Sequence, residues 1–205
     1  MRVAVVGGTG DFGLALAGRL VEVGDDVVVG SRDESRARAA AEPVGASGAA
    51  NHEAVRGVDL VVLAVKAETA LETARSLSAA IGTTPTLSVA SELRFSKSGV
   101  RPRTGTRSLA EETADLLEAP VAAGLHSLAA ATLAGGPAEG DAFVCGDDGA
   151  AKALALELAT KVVTGRALDA GPLESARALE GLTAVIVNLN RRYKGHAGFA
   201  VTGLP

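Results

Sequence analysis

Three glycines near the beginning of the chain, Gly8, Gly10 and Gly13, stand at the spacing G-x-G-x-x-G. The apolar run 3–6 precedes them, and apolar residues recur at helical spacing over residues 14–21. In such a strand–turn–helix unit, the glycines permit a tight turn, close approach of a pyrophosphate, and close packing of the helix on the strand. The N–H groups of the first helical turn then face the phosphates. The pattern predicts a dinucleotide site; the alternative is a glycine-rich turn that holds no ligand. The expected contacts are Gly8, Gly10, Asp11 and Phe12.

The end of the second predicted strand distinguishes NADP from NAD. NAD-binding units usually carry an Asp or Glu there, which accepts hydrogen bonds from the ribose 2′-hydroxyl. This chain instead has Ser31 and Arg32, and the first carboxylate is Asp33. Arg32, together with Arg36 one helical turn later, can bind a 2′-phosphate through forked, charge-assisted hydrogen bonds. The alternative is that both arginines are solvated cations, balanced by Asp33 and Glu34 in the first turn of a helix. The rule for the 2′-group favours NADP.

Composition restricts the class of protein. The chain has 205 residues and a net charge of −4, which gives no electrostatic basis for binding nucleic acid. A single cysteine, Cys145, allows no internal disulfide and fits a reducing cytoplasm. A glycine turn arrives by residue 7, before a secretory signal could form, and no apolar stretch is long enough to span a membrane. No Cys/His cluster suggests a metal site. We therefore expect a cytoplasmic protein without a membrane or nucleic-acid partner.

The order of the predicted elements defines the fold class. Residues 59–65 form an apolar run typical of a parallel strand buried on both faces, and its carboxyl end, Ala64-Val65, should face the dinucleotide. We predict an α/β fold: a Rossmann-like, doubly wound, mostly parallel sheet with a small C-terminal α/β extension. Residues 1–145 would form the NADP-binding domain, and residues 146–205 a small domain forming a cleft wall and dimer contacts. Further strands are expected at 85–89, 121–125, 142–145 and 162–168, a turn at 45–50, and helices at 108–118, 149–160 and 173–190.

A polar stretch, residues 94–107, is predicted to be a loop. It has five cations and no acidic residue, so it is either a site for an anionic ligand or a solvated, mobile segment. These cations are Arg94, Lys97, Arg101, Arg103 and Arg107. The long helix at 173–190 is apolar on much of its circumference, which favours burial in the core or a homodimer interface.

Several segments together resemble one known family. They are the glycine turn, Gly30-Ser31-Arg32, Cys145-Gly146-Asp147-Asp148 and Asp169-Ala170-Gly171-Pro172-Leu173. Over residues 1–204 the chain resembles the NADPH-dependent reductases of coenzyme F420, a deazaflavin. The resemblance implies direct hydride transfer between the nicotinamide of NADP and the deazaflavin, which requires positioning more than acid–base catalysis. Consistently, Tyr193 is followed by Ala197, so the chain has no Tyr-x-x-x-Lys pair.

The resemblance also implies roles for individual residues. Thr9, Ser31, Arg32 and Arg36 would hold NADP, with Ala64 and Val65 near the nicotinamide. On the deazaflavin side would lie His126, Ala130, Arg177, Thr183 and Ala197. His126 could donate to, or polarise, a ring carbonyl; alternatively it is a core histidine bonded to backbone. Arg177 would be paired at an interface or directed at a ligand, and the cations of 94–107 would suit the phosphate and oligoglutamate tail of the coenzyme.

Two departures from the family pattern leave other functions open. Val65-Lys66-Ala67 replaces the Ile-Pro-Trp often found after the third strand, and the proline often found near His126 is missing. The first alternative is an NADP-dependent reductase of a small imine or carbonyl compound, with His126 or Lys66 as proton donor. The second is a redox sensor that binds NADP without turning it over.

Overall fold

A computed structural model describes residues 1–204 of the chain, and a single large sheet organises them. The ten strands are β1 Arg2–Val6, β2 Asp26–Ser31, β3 Ser47–Ala50, β4 Leu60–Leu63, β5 Thr86–Ser88, β6 Leu93–Ser96, β7 Gly99–Pro102, β8 Val121–Gly124, β9 Ala142–Gly146 and β10 Ala167–Asp169. The eight α-helices are α1 Asp11–Glu22, α2 Glu34–Ala41, α3 Asn51–Ala54, α4 Ala67–Ile81, α5 Leu109–Ala114, α6 Ala130–Ala134, α7 Gly149–Val162 and α8 Ala176–Tyr193. Short 3-10 turns precede α8 and follow α2.

Eight strands form the main sheet in the order β3-β2-β1-β4-β5-β8-β9-β10. The first six are parallel, and β9 and β10 run antiparallel to them. The order reverses between β1 and β4, where chains of this class bind ligands at the carboxyl ends of the strands. The predicted mostly parallel, doubly wound sheet is confirmed.

Alternate residues of the strands pack on helices at opposite faces of the sheet. On β1, Val3 and Val5 belong to one apolar cluster with Leu16 and Leu20 of α1. Val6 belongs to a second cluster, which includes Leu77 and Ile81 of α4. Because both faces are covered, the parallel strands are apolar throughout, as the sequence indicated. The buried apolar side chains are almost all aliphatic, and the sheet fixes the positions of the loops at its carboxyl edge.

The structure corrects five of the predicted elements. The helix predicted at 108–118 is α5, which ends at Ala114. Residues 94–107 are not one loop, because β6 and β7 form an antiparallel hairpin. The predicted turn 45–50 contains the edge strand β3, where a Cβ on Gly48 would stand 2.4 Å from the backbone N of Arg38 in α2. The last predicted strand is shorter, because α7 continues to Val162 and β10 begins at Ala167. The last helix begins and ends three residues later than predicted, at Ala176 and Tyr193.

The sheet continues across the predicted domain boundary. Residue 145 lies inside β9, and β10, beyond the boundary, pairs with β9. The division of the chain into two domains at this residue stays a prediction. The last residue of the predicted second domain, Pro205, lies outside the described part of the chain. Among residues 1–204, every helix is too short or too polar to cross a membrane.

Candidate functional site

The glycine turn connects β1 to α1 at the reversal point of the sheet. Gly7, with φ +80°, provides the left-handed residue of the turn, although it precedes the first glycine of the predicted motif, Gly8. A Cβ on Gly8 would stand 2.7 Å from the Val5 carbonyl oxygen. A Cβ on Gly13 would stand 2.7 Å from the Gly7 carbonyl oxygen. Internal packing therefore explains Gly7, Gly8 and Gly13.

Gly10 is different, because no contact among residues 1–204 requires a glycine there. It is exposed, its φ of −85° suits any residue, and the nearest atom to a Cβ would be the Gly7 carbonyl oxygen at 3.4 Å. Gly10 precedes α1, and no side chain caps this helix. The first-turn N–H groups of α1 are thus available to an anion, and the bare Gly10 backbone lets the anion approach them. This geometry fits the pyrophosphate of a dinucleotide.

Ser31 and the two arginines lie at the carboxyl end of β2, next to the turn. The Gly7 backbone N–H donates to the Gly30 carbonyl at 3.2 Å, which ties the turn to this end of β2. Asp33 caps α2 by accepting from the Arg36 backbone N–H at 3.1 Å, so its carboxylate is engaged with the helix. The hydroxyl of Ser35 and this N–H lower the pKa of Asp33. Arg32 and Arg36 are exposed, and neither forms an ion pair within residues 1–204. Two unpaired guanidinium groups fit a 2′-phosphate.

Ala64 and Val65 lie on the other side of the turn. The Ala64 backbone N–H donates to the Val6 carbonyl at 2.8 Å. The carbonyl oxygen of Ala64 and a Cγ atom of Val65 would stand 2.7 and 2.8 Å from a Cβ on Gly7. Both residues therefore contact the turn, as their predicted place near the dinucleotide requires. Lys66 follows them, exposed, at the N-cap of α4.

A second polar group lies beyond β5 and β8, centred on His126. Leu125 leaves β8 with φ +63°, an uncommon conformation for a branched residue. His126 follows it and is 5% exposed. Its Nδ1 lies 3.2 Å from the Ser91 hydroxyl, which lies 2.8 Å from the Thr183 hydroxyl. Thr183 donates to the His126 carbonyl at 2.8 Å. Burial lowers the pKa of His126 to about 4, so the ring is neutral at physiological pH.

Comparison with known proteins identifies the family. A family model described as "NADP oxidoreductase coenzyme F420-dependent" matches residues 2–91. The F420-dependent NADP reductase of Methanothermobacter marburgensis is 34% identical, and the match covers 100% of both chains. The chain belongs to the F420-dependent NADP reductase family. The resemblance noted in the sequence is confirmed.

Solved structures support the same fold. A protein described as a putative F420-dependent NADP-reductase from Arthrobacter sp. FB24 superposes with a TM-score of 0.82 at 27% identity. That match covers 99% of this chain and 100% of the other. An imine reductase of Streptomyces aurantiacus superposes with a TM-score of 0.62 at 22% identity, covering 95% of this chain and 62% of that one. At this identity the likeness extends to the fold alone.

The remaining residues implied by the family resemblance are dispersed. Thr183 contacts His126, as described above. Ala130 begins α6 and lies with Asp11 in the lining of a mostly apolar groove of about 610 Å³ between α1 and α6. Arg177 donates to the backbone carbonyls of Arg103 and Gly105, so it fastens the chain after β7 to α8. Neither of the two alternatives considered for Arg177, an interface partner or a ligand contact, describes these bonds.

Ala197 belongs to a C-terminal segment, residues 195–204, that is held by hydrogen bonds to Asn190 and Asp141. The Ala197 N–H donates to Asn190 Oδ1 at 2.6 Å. Asp141 donates its backbone N–H to the Phe199 carbonyl, and its carboxylate accepts from the Val201 N–H at 2.8 Å. The Arg166 guanidinium, 3.0 Å from that carboxylate, holds the pKa of Asp141 well below its usual range. Ser127, adjacent to His126, donates to the Asp141 carbonyl at 3.4 Å, which joins the segment to the His126 group.

The five cations of residues 94–107 fall into two sets. Arg103 pairs with Glu92 and Glu112, and Arg107 pairs with Asp115. The other three lie exposed on the hairpin, and no acidic side chain in the described part of the chain pairs with them. Arg94 and Arg101 directly oppose each other across the two strands. Two like charges in this arrangement destabilise a hairpin unless an anion lies between them. The three unpaired cations are Arg94, Lys97 and Arg101.

Three polar residues, of which Asp141 and Glu180 are buried, were not predicted from the sequence. Ser91 completes the His126 group, and Asp141 holds the C-terminal segment. Glu180, 1% exposed in α8, accepts from the backbone N–H groups of Leu109 and Ala110 at 2.7 and 3.2 Å. Burial raises the pKa of Glu180 to about 7, although these two N–H groups oppose the shift. Only the position of Glu180 between Ala176 and Ala184, one helical turn away on either side, could have indicated that it is buried.

Proposed function

We propose that the protein transfers a hydride directly between NADP(H) and the deazaflavin coenzyme F420. The observation that carries the proposal is that an NADP-type glycine turn and the His126 group both lie at the carboxyl edge of the sheet. Relatives matched over the whole chain bear the name F420-dependent NADP reductase, which supports the second substrate. When bound, the two coenzymes supply the redox chemistry, a hydride passing between the nicotinamide C4 and the central-ring C5 of the deazaflavin.

The protein's own residues bind and orient the coenzymes in this proposal. The glycine turn and first turn of α1 hold the pyrophosphate, and Ser31, Arg32 and Arg36 bind the 2′-phosphate. Ala64 and Val65 flank the nicotinamide. The deazaflavin side is formed by His126, with Ala197 on the C-terminal segment and Ala130 at the start of α6. The residues proposed at the turn itself are Gly8, Thr9, Gly10, Asp11 and Phe12.

The decisive experiment mixes the purified protein with NADPH and oxidised F420. We expect the visible absorbance of the deazaflavin to bleach at a rate proportional to enzyme concentration. NADH in place of NADPH should support a much slower reaction, and FMN in place of F420 should remain oxidised. Absence of bleaching despite tight NADPH binding would contradict the proposal and favour an NADP-binding sensor.

A reductase of imines or carbonyl compounds is a weaker candidate. Such a reaction needs a proton donor beside the nicotinamide. His126 has a pKa lowered to about 4 and is neutral, so it is a poor source of protons at neutral pH. Lys66 is the remaining predicted donor, and it is exposed at the start of α4. Oxidation of NADPH by a cyclic imine, abolished by Lys66→Met, would revive this candidate.

We also propose that the hairpin β6–β7 binds the anionic tail of the deazaflavin coenzyme. The three unpaired cations provide the charge, and an oligoglutamate tail would relieve the repulsion between Arg94 and Arg101. Arg101→Ala should raise KM for F420 several-fold. The increase should be larger for coenzyme with a longer oligoglutamate tail, and it should be smaller at high salt. Arg75→Ala removes an equal charge from the exposed side of α4 and should leave KM unchanged. Equal effects of both variants, or no dependence on tail length, would refute this assignment.

The apolar side of α8 supports a homodimer. Val185 is 46% exposed, and the half-buried Leu182 and Leu189 lie three and four residues away on the same side of the helix. We propose that this side of α8 forms the dimer contact, within the small C-terminal region. Val185→Glu should halve the mass measured by light scattering. Val23→Glu, at an exposed valine at the end of α1, should leave the mass unchanged. A monomeric wild-type protein would contradict the proposal.

A further inference from the structure

The hydrogen bonds around His126 determine which ring nitrogen carries the proton. The His126 carbonyl can only accept, so the Thr183 hydroxyl uses its single hydrogen there. The Ser91–Thr183 contact at 2.8 Å then requires Ser91 to donate to Thr183. With its hydrogen committed, Ser91 can only accept from His126 Nδ1, 3.2 Å away. The neutral ring therefore carries its proton on Nδ1.

This tautomer leaves Nε2 as a hydrogen-bond acceptor. Nε2 is buried and has no hydrogen-bond partner within residues 1–204. A buried acceptor left unpaired costs about 1–3 kcal/mol, so Nε2 favours any bound molecule that donates a hydrogen bond to it. The carbonyl contact expected from the sequence has the opposite polarity, because a carbonyl oxygen and the Nε2 lone pair repel each other.

We propose that Ser91 and Thr183 are positioning residues that hold His126 as its Nδ1–H tautomer, so that Nε2 accepts a hydrogen bond from an N–H or O–H group of the hydride-accepting substrate. The role of the substrate rests on the proposed function; the tautomer rests only on the hydrogen bonds just counted. The fixed tautomer favours a substrate that places a hydrogen-bond donor at Nε2 and disfavours one that presents only a carbonyl oxygen there.

Thr183→Val should invert the tautomer. Valine keeps the shape of threonine but offers neither a donor for the His126 carbonyl nor an acceptor for Ser91. The Ser91 hydroxyl then donates to Nδ1, and the ring proton moves to Nε2. Thr183→Ser retains the hydroxyl and should restore the wild-type tautomer, which makes it the matched control.

The tautomer is measured by NMR on protein labelled with ¹⁵N-histidine, at neutral pH and without coenzymes. His52 and His196, the two other histidines, are identified by substituting each in turn. The expected result is a protonated Nδ1 at His126 in the wild type and in Thr183→Ser, and a protonated Nε2 in Thr183→Val. A wild-type His126 protonated on Nε2 would overturn the proposal, as would a Thr183→Val variant that folds and keeps the proton on Nδ1.

Binding measurements test the substrate's part. Adding oxidised F420 should shift the Nε2 resonance of the wild-type protein in the direction of hydrogen bonding. Thr183→Val should bind F420 about tenfold more weakly, the equivalent of one lost hydrogen bond of ~1.4 kcal/mol, with unchanged affinity for NADPH. Unchanged F420 affinity in a variant with an inverted tautomer would overturn the selective role. A wild-type protein with the Nδ1–H tautomer that does not reduce F420 would contradict the proposed function while supporting the tautomer assignment.

Discussion

At the residue scale, the proposed 2′-phosphate site at the end of β2 predicts a preference for NADPH over NADH. Arg32→Glu replaces a proposed phosphate ligand by a group that repels phosphate and accepts from a hydroxyl. We expect the Kd for NADPH to rise by at least about tenfold, while the Kd for NADH stays constant or falls. Isothermal titration calorimetry with both coenzymes measures the ratio.

The matched control is Arg38→Glu, which makes the same change of net charge six residues later, on α2. Arg38 is exposed and paired with Glu34, so this variant tests long-range electrostatics alone. If both variants weakened NADPH and NADH to the same extent, the assignment of the 2′-phosphate to Arg32 would be wrong.

Some of the proposed site residues follow from a local sequence signal, and others do not, for a physical reason. Arg32 follows from the missing carboxylate at the end of a predicted strand, a local signal. Ser91 lies 35 residues before His126 and 92 before Thr183, so their contact depends on how α8 crosses the sheet. The resemblance to a family suggested His126 and Thr183, but it did not reveal that the ring nitrogen facing Ser91 donates.

At the element scale, different glycines of the turn between β1 and α1 are expected to serve coenzyme binding and folding. Gly10→Ala adds a methyl group where the protein leaves room, so the free energy of unfolding should change by less than ~1 kcal/mol. The same methyl group would obstruct the pyrophosphate and should raise the Kd for NADPH at least about tenfold. Gly13→Ala forces a Cβ to within 2.7 Å of the Gly7 carbonyl and should destabilise the fold by ~1–3 kcal/mol. Urea unfolding and calorimetric titration of both variants provide the comparison; unimpaired NADPH binding by Gly10→Ala would refute the placement of the pyrophosphate.

Elements with strong apolar patterns were predicted well, and those stabilised by distant partners were not. The apolar strands β1, β2 and β4 were identified because both faces are buried. The hairpin β6–β7 alternates apolar and polar residues only over Leu93-Arg94-Phe95-Ser96, and Phe95 in that run is exposed rather than buried in the core. Its Val100 is anchored by Asn188 of α8, whose side chain accepts from the Val100 N–H at 2.8 Å and donates to its carbonyl at 2.7 Å. No local signal reports a backbone that pairs with an amide 88 residues later.

At the scale of the whole molecule, two buried ionisable groups make opposite contributions to the pH dependence of stability. The pKa of Glu180 is raised from 4.5 to about 7, so the folded protein binds this proton more tightly and stability falls as pH rises through that window. The pKa of His126 is lowered from 6.5 to about 4, so the unfolded chain binds this proton more tightly and stability rises with pH over that window. Each contributes a slope of up to ~1.4 kcal/mol per pH unit, and the two nearly cancel between pH 4.5 and 6.5.

Removing one of the two groups should therefore reveal the dependence of the unfolding free energy on pH that the other group causes. In Glu180→Gln, which keeps an oxygen for the Leu109 and Ala110 N–H groups, the free energy of unfolding should increase by ~2 kcal/mol from pH 5 to 6.5. In His126→Asn, whose amide N–H can still donate to Ser91, it should decrease by a similar amount. For the wild-type protein and for the double variant, the free energy of unfolding should be nearly independent of pH in this range. Asp141 acts only at lower pH, because Arg166 holds its pKa below the usual value, so its titration does not enter this range. Urea unfolding of the four proteins across the range tests the balance, and parallel pH profiles for all four would show that neither buried group titrates as proposed.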